Sequence, residues 1–204
     1  MTELQKQEKP AAPVTAIQKQ WQTAQYLAQS DLIPKHFAGK PANVLVALEY
    51  AEQLSTQTRN LSPISVMQNL YVLNGNVGLS SKFIIALANS SGKFDHSLLF
   101  KEEGSGDSLS VTCFSKIHGQ EVSYTVSMQT ARAEGWTRNP KYKSLPSLML
   151  RYRAAAFLIR TTAPEVIMGL QTDDDVRDVM TAEIVEVSEE EVKKSEALAD
   201  ELMD

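Results

Sequence analysis

The stretch from Pro146 to Thr162 reads PSLMLRYRAAAFLIRTT. It predicts one long helix, because Pro suits the first turn of a helix and no Gly or further Pro interrupts the run. Two apolar faces recur at helical spacing, one made of Leu148, Tyr152, Ala155 and Ile159, the other of Leu150, Ala154 and Phe157. A helix that is apolar over most of its girth packs on several sides, so we expect this one at the centre of the fold.

Arg153 and Arg160 stand seven residues apart on this helix, so their side chains point almost the same way. Burying an unpaired charge is costly, so we expect both guanidiniums to face an open groove that receives a phosphate backbone. The alternative is internal ion pairs, with partners drawn from Glu49, Glu52, Asp95 or the acidic tail. Arg151 points roughly opposite and could face another strand, a neighbouring subunit or a carboxylate.

Charge is distributed unevenly along the 204 residues, whose net charge is −5. The segment from Ser127 to Ala163 contains seven basic residues against Glu134 alone, whereas Glu165 to Asp204 contains 14 acidic residues against three basic ones. A concentrated basic region is an electrostatic footprint for polyanions, of which nucleic acid is the usual one. The alternative is a solvated surface with ordinary ion pairs.

Composition narrows the class of protein. Hydrophobic residues make up 43% of the chain, which is enough for a real core, and no apolar run approaches the ~20 residues that cross a bilayer. Cys113 is the single cysteine, and His36, His96 and His118 lie far apart, so a zinc site lacks ligands. We expect a cytoplasmic protein with a disordered leader over 1–13, a core domain over 14–170 and an acidic helical or disordered tail over 171–204.

The order of elements predicts an α+β fold: N-terminal helices, a β-hairpin, a small three-stranded antiparallel sheet and the long basic helix. Thr15 and Gln18 have capping-box spacing before a helix that should end near Asp31 to Pro34, and helices follow from Pro41 and Pro63. The remaining elements are the Leu70–Leu79 hairpin around Asn74-Gly75, a helix over 82–89 that Ser80 or Ser81 can cap, strands over 94–101, 108–116 and 121–126, and a short helix that Ser127 caps and Gly135 ends.

The segment from Trp136 to Leu145 is predicted to be an irregular loop in which aromatic and basic residues alternate. Its key residues are Trp136, Lys141, Tyr142 and Lys143. Aromatic faces can stack on unpaired bases while basic side chains follow the phosphates, which is typical of single-strand binding. The alternative is that Trp136 and Tyr142 are core anchors.

The stretch from Gly135-Trp136 through the Leu148–Ala154 run and Arg160 to Pro164-Glu165 and Gly169-Leu170 resembles the RecT and Red-beta group of phage single-strand annealing proteins. The upstream order of elements is similar as well, so the resemblance covers roughly Pro41 to Val179. Ser147 departs from the family pattern, which has a basic residue there. The chain is also short beyond Gly169, where the family has a segment that docks partners.

The resemblance implies ATP-independent annealing of complementary single strands in phage recombination. It implies ring-shaped or helical homo-oligomers that bind single-stranded DNA and the annealed duplex, and that work beside a 5′-to-3′ exonuclease and a host single-strand binding protein. No cofactor is expected, although Mg²⁺ could modulate annealing. The expected DNA-binding residues are Arg153, Arg160, Arg151, Lys141, Lys143, Arg138, Trp136, Tyr71 and Lys82.

Other chemistry is less consistent with the residues. The run from Gly75 to Lys82 has the wrong spacing for an ATP-binding phosphate loop and lacks Gly-Lys. The cluster Asp173-Asp174-Asp175 follows Thr172 where a helix start favours negative charge, so capping is preferred to a metal-dependent nuclease site. A non-catalytic phage assembly protein stays open. We also expect the tail from Asp173 to compete for the basic groove or to dock a partner.

Overall fold

A computed structural model describes residues 15–56, 59–73, 76–172 and 174–175, and it confirms the α+β class. The helices of this part of the chain are α1 (Ala16–Leu27), α2 (Pro41–Leu54), α3 (Pro63–Asn69), α4 (Ser81–Ser90), α5 (Met128–Ala133), α6 (Lys141–Ser144) and α7 (Pro146–Thr162). The expected leader over 1–13, the Asn74-Gly75 turn and residues 176–204 of the expected tail lie outside the described residues.

In the described part of the chain, six strands form two small sheets. They are β1 (Leu70–Leu73), β2 (Asn76–Leu79), β3 (Leu99–Glu103), β4 (Ser110–Ile117), β5 (Gln120–Ser127) and β6 (Gln171–Thr172). The first sheet has the order β1-β2-β6, in which β1 and β2 make the predicted antiparallel hairpin and β6 runs parallel to β2. The second sheet is the predicted antiparallel one, in the order β3-β4-β5.

Helix α7 has the predicted bounds and occupies the centre of the fold. It packs against β4, β5 and α4, and its buried residues come from every side of the helix: Met149, Leu150, Arg153, Ala154, Ala155, Ala156, Leu158 and Ile159. The prediction that the helix is packed on several sides is therefore confirmed. No helix of the described residues is both long and apolar enough to cross a membrane.

Local sequence signals place most of the other element ends. The capping box of Thr15 and Gln18 is present, and Ser80 and Ser127 accept backbone hydrogen bonds at the starts of α4 and α5. The first helix is shorter than predicted and ends at Leu27. These caps satisfy backbone N–H groups that a helix start leaves without intrahelical partners.

The first strand of the second sheet begins at Leu99 rather than at Phe94 as predicted. Side chains satisfy much of the backbone before it, since the Leu98 N–H donates to Asn89 Oδ1 and the Ser115 hydroxyl donates to the His96 carbonyl, each over 2.8 Å. The Asp95 carboxylate also accepts hydrogen bonds from the His118 and Gly119 N–H groups in the β4–β5 turn. A segment bonded in this way does not need a strand ladder.

Residues 136–145 are more regular than predicted. Gly135 adopts φ +70°, which favours glycine, and a 3-10 turn over Trp136–Arg138 leads into the four-residue helix α6. The side chain of Asn139 accepts the Lys141 N–H over 3.0 Å and so supports the start of α6. The short helices turn Trp136 and Tyr142 inward, where both are buried.

Arg59 joins two helix ends, a role that the sequence did not suggest. Its guanidinium donates to the carbonyl of Leu54 at the end of α2, and to the carbonyl of Leu87 (2.5 Å) and the hydroxyl of Ser90 (3.2 Å) at the end of α4. A cation at a helix C-terminus complements the helix dipole. Arg59 is buried, which lowers the pKa of its guanidinium, and its hydrogen bonds hold the end of α4 against the end of α2.

Candidate nucleic-acid interface

Arg153 and Arg160 project from the same side of α7, as predicted, and both bind the carboxylate of Asp175. Arg153 Nη1 lies 3.2 Å from Asp175 Oδ1, and Arg160 Nη1 lies 3.0 Å from Asp175 Oδ2. Arg160 also donates through Nη2 to Asp175 Oδ1 over 3.2 Å. We call these three residues the arginine site.

Asp175 is itself held by Thr172. The Thr172 N–H and hydroxyl donate to Asp175 Oδ2 over 3.0 and 2.5 Å, and the Asp175 N–H returns a bond of 3.2 Å to the Thr172 hydroxyl. This reciprocal pattern confirms the predicted cap at Thr172. One carboxylate therefore both caps the turn and forms ion pairs with the two arginines.

The structure gives Arg153 and Arg160 the alternative environment, an ion pair with the acidic tail, rather than the expected open groove. The side chain of Arg153 is 4% exposed, and its guanidinium carbon lies 4.2 Å from the centre of the Trp136 ring. A charge so deeply buried is stable only when it is paired, and the acidic tail supplies the partner, which was the alternative. Arg160 is about a third exposed and lies over the Phe157 ring.

Trp136 and Tyr142 are core anchors, as in the alternative for their segment. Trp136 is 8% exposed and stacks near Phe157, with ring centres 6.0 Å apart. Its other contact is the Arg153 guanidinium. Trp136 and Arg153 are therefore both buried, whereas Arg138 and Lys143, which lie on the same segment as Trp136, are exposed.

Arg151 faces a carboxylate, one of the three environments considered for it. Its Nε and Nη2 donate to Glu102 Oε1 on β3 over 2.8 and 2.5 Å. The Ser147 hydroxyl donates to the same oxygen. The Ser147 hydroxyl and then the Arg151 guanidinium hold the pKa of Glu102 below its usual value. The same hydrogen bonds join α7 to β3.

The structure brings other predicted residues together in an open cleft of about 180 Å³. It is lined by Tyr71, Ser80, Ser81, Lys82, Asn139, Lys141, Met149, Tyr152 and Asp174. We call it the lysine cleft. Three members of the predicted DNA-binding set, Tyr71, Lys82 and Lys141, therefore meet although up to 70 residues separate them in the sequence.

The lysine cleft combines positive charge with aromatic surface. Lys82 and Lys141 are exposed, and the cleft includes the N-terminal end of α4, where the helix dipole adds a partial positive charge. Tyr71 is 37% exposed and Tyr152 is half-buried. Such a surface suits a ligand that carries both an anion and a flat ring.

One carboxylate lies within this positive surface. Asp174 lines the cleft, and its Oδ2 accepts a hydrogen bond of 3.2 Å from the Ser81 hydroxyl at the first residue of α4. Asp174 and Asp175 are neighbours in the chain, yet they contact two different positive regions. We call Thr172, Asp174 and Asp175 together the acidic turn.

Sequence reasoning missed Tyr152, Asn139 and Asp174 as cleft residues. Tyr152 was placed on an apolar face of the long helix, where only its hydroxyl distinguished it from a core residue. Asp174 was read as one of three capping residues, because the pairing of β6 with β2 that carries it to α4 involves just two residues. The sequence signal that could have pointed to this cleft was the pair of adjacent serines, Ser80 and Ser81, at a helix start.

Other parts of the described chain offer little chemistry. A groove of about 420 Å³ between α1 and α2 is lined by polar and apolar residues, of which Lys19 and Glu52 are charged. No group of His, Cys, Asp and Glu among the described residues could hold a metal ion. Cys113 is buried, which raises the pKa of its thiol to about 12 and makes it a poor nucleophile.

Comparisons of the chain with protein-family models, with curated proteins and with solved structures gave no match. The residues and their geometry are therefore the basis for assigning a function. Among the described surfaces, the lysine cleft combines two predicted lysines with a predicted aromatic residue.

Proposed function

We propose that the protein binds single-stranded DNA and anneals it to a complementary strand without hydrolysing a nucleotide. The observation that carries the proposal is the lysine cleft, where Lys82 and Lys141 lie with Tyr71 and Tyr152 on four separate elements. The resemblance of the Trp136–Gly169 stretch to the RecT and Red-beta group supports the same function.

The chemistry of the cleft fits this task. Ammonium groups neutralise phosphates and release counterions, which supplies affinity without reading sequence. Tyrosine faces can stack on unpaired bases, each of which has a π-face whatever its identity. Specificity in annealing comes from base pairing with the incoming strand, so the protein needs no contacts to base edges.

The positive surface of the proposed site differs from the one that the sequence suggested. Lys82 and Lys141 take the role expected of the arginine pair, and the exposed Arg138 and Lys143 add positive charge to the same segment as Lys141. Arg153 acts indirectly, since its pairing with Asp175 fixes the acidic turn. The proposed contact residues are thus Tyr71, Lys82, Lys141 and Tyr152.

The resemblance also supports a setting for this activity. We place the protein in the cytoplasm of a bacterial host, as rings or helical filaments along the DNA. Head-to-tail contacts between identical subunits give either form, depending on whether the rotation closes. A 5′-to-3′ exonuclease would supply the single strand, and a host single-strand binding protein would share it.

A pairing assay tests the function directly. Two complementary labelled oligonucleotides are mixed with the full chain in EDTA and without nucleotide, and pairing is followed by energy transfer. We expect faster pairing with the protein. Cleavage that appears on adding Mg²⁺ would instead indicate a nuclease, and the absence of any single-strand preference would indicate an assembly protein.

The same assay locates the site when matched variants are used. Lys82→Ala with Lys141→Ala should abolish most of the acceleration. Lys101→Ala with Lys116→Ala removes the same charge from the second sheet, where the lysines pair with Glu103 and Glu121, and should leave the rate near that of the wild type. Equal loss in both variants would show that total charge, rather than the cleft, is responsible.

A further inference from the structure

The two carboxylates of the acidic turn have very different surroundings. Asp175 accepts bonds from Arg153, Arg160 and Thr172 and belongs to the sealed arginine site. Asp174 has one side-chain hydrogen bond among the described residues, the 3.2 Å bond from Ser81. The first carboxylate is thus fixed by the fold, and the second is held weakly at the surface.

Asp174 stands where a phosphate of a bound strand would be stabilised. It lines the same cleft as the lysines Lys82 and Lys141, and it contacts the first residue of the ten-residue helix α4. The combined field of two ammonium groups and a helix N-terminus favours any anion at that position. A phosphate oxygen can accept the same Ser81 hydroxyl bond that Asp174 accepts.

Contacts of the residues before and after Asp174 in the chain fix its position. Before it, β6 pairs with β2 through Gly78–Gln171 and Leu79–Thr172, and Thr172 is buried. After it, Asp175 is tied to Arg153 and Arg160. The placement of Asp174 in the cleft therefore follows from the folded core.

We propose that the Asp174 carboxylate competes with a backbone phosphate for the lysine cleft, so that the protein restrains its own binding of nucleic acid. This inference rests on the proposed function and adds a regulatory contact to it. A strand with many phosphates displaces Asp174 by repeated contact, whereas a short strand competes poorly. Asp174 is part of the described fold, so its competition with phosphate is separate from any competition by tail residues beyond Met180.

The test is the affinity of the full chain for a short labelled oligo-dT, measured by fluorescence anisotropy at low salt. Asp174→Asn should tighten binding about fivefold to tenfold, because it removes a unit charge that competes near the surface, and the gain should shrink as salt screens the cleft. Glu121→Gln, a matched neutralisation on the exposed β5, should change the affinity less than twofold.

A second pair of variants confirms that the effect is local. When Lys82→Ala and Lys141→Ala are already present, adding Asp174→Asn should give less than a twofold gain, since the charges it competes for are absent. A gain that persists in that background would overturn the proposal. Asp174→Ser, which keeps a side-chain oxygen without charge, replaces Asp174→Asn if thermal melting shows that the amide disturbs the turn.

The failure of this inference is distinguishable from failure of the proposed function. If the wild type binds the oligonucleotide and Asp174→Asn binds no more tightly than Glu121→Gln, competition by Asp174 is wrong and DNA binding stands. If neither the wild type nor Asp174→Asn binds at any salt concentration, both proposals are wrong. Deleting residues 181–204 leaves Asp174 in place, so that deletion should not reproduce the gain.

Discussion

The arginine site and the lysine cleft are both positive regions that meet a carboxylate from the same turn, yet they differ in almost every physical respect. In the arginine site, Arg153 is buried against Trp136 and shares Asp175 with Arg160. In the lysine cleft, Lys82 and Lys141 are exposed and Asp174 contacts the cleft through Ser81. The density of basic residues in the sequence thus does not reveal which of them are available to a ligand.

The chemistry of the two cations explains the difference. A guanidinium is planar, weakly hydrated and able to stack on an aromatic ring, so it can be buried when a carboxylate pairs with its fork of donors. An ammonium is a compact and strongly hydrated charge, which favours an exposed position. The arginine pair therefore contributes to the packing of the fold, and the lysine pair remains exposed to solvent.

Removing the shared carboxylate of the arginine site should cause the greatest loss of stability among the variants proposed. Asp175→Asn removes the carboxylate that both Arg153 and Arg160 contact, and breaking a buried ion pair costs on the order of 3–5 kcal/mol of the free energy of unfolding. Urea denaturation measures this loss. Asp107→Asn, which removes the exposed partner of Arg132, is the control and should cost much less. Equal losses would show that the arginine site does not stabilise the fold.

The aromatic part of the lysine cleft should contribute to binding rather than to stability. Tyr71→Ala removes an exposed ring, and stacking on one base is worth about 1–3 kcal/mol of binding free energy. Tyr26→Ala, on the distant and exposed α1, should leave the affinity for oligo-dT unchanged. If Tyr71→Ala binds as the wild type does, no base stacks on this residue.

Arg151 is intermediate between the two sites, because its guanidinium is paired with a carboxylate but is partly exposed. Its exposed pair with Glu102 is screened by water. Arg151→Ala should therefore lower the melting temperature only slightly and change DNA affinity less than the cleft variants do. A loss of stability as large as that of Asp175→Asn would place Arg151 in the same class as Arg153.

The smallest effect concerns pH. Because Ser147 and Arg151 lower the pKa of Glu102, its ionised form stabilises the fold above its usual pKa of 4.5, and this contribution is lost as the pH falls through the lowered value. The difference in melting temperature between the wild type and Glu102→Gln should thus be present at pH 7 and fade in acid. A difference that grows in acid would contradict the sign of this shift.

Local signals in the sequence were enough to predict much of the fold. Pro146 and the absence of any breaker until Pro164 defined α7, and Thr15, Ser80 and Ser127 marked helix starts correctly. Each of these signals depends on residues within a turn or two of one another. The two strands of the hairpin, Leu70–Leu73 and Asn76–Leu79, are also those that the sequence predicted.

Contacts between distant residues could not be predicted in the same way. Asp175 reaches Arg153 because β6, a strand of two residues, adds to the edge of the hairpin, and no periodicity marks so short a strand. The lysine cleft likewise depends on how β1, α4, α6 and α7 pack together. Burial of Trp136 followed from the two short helices that replaced the predicted loop.

The salt dependence of single-strand binding tests the central claim, that the lysine cleft holds the DNA backbone. For single strands the logarithm of the binding constant falls with the logarithm of salt concentration by about 0.7 per neutralised phosphate. Lys82→Ala with Lys141→Ala should reduce that slope by roughly 1.4 and weaken binding, while Lys101→Ala with Lys116→Ala should change neither. An unchanged slope in the cleft variant, or an equal reduction in both, would contradict the claim.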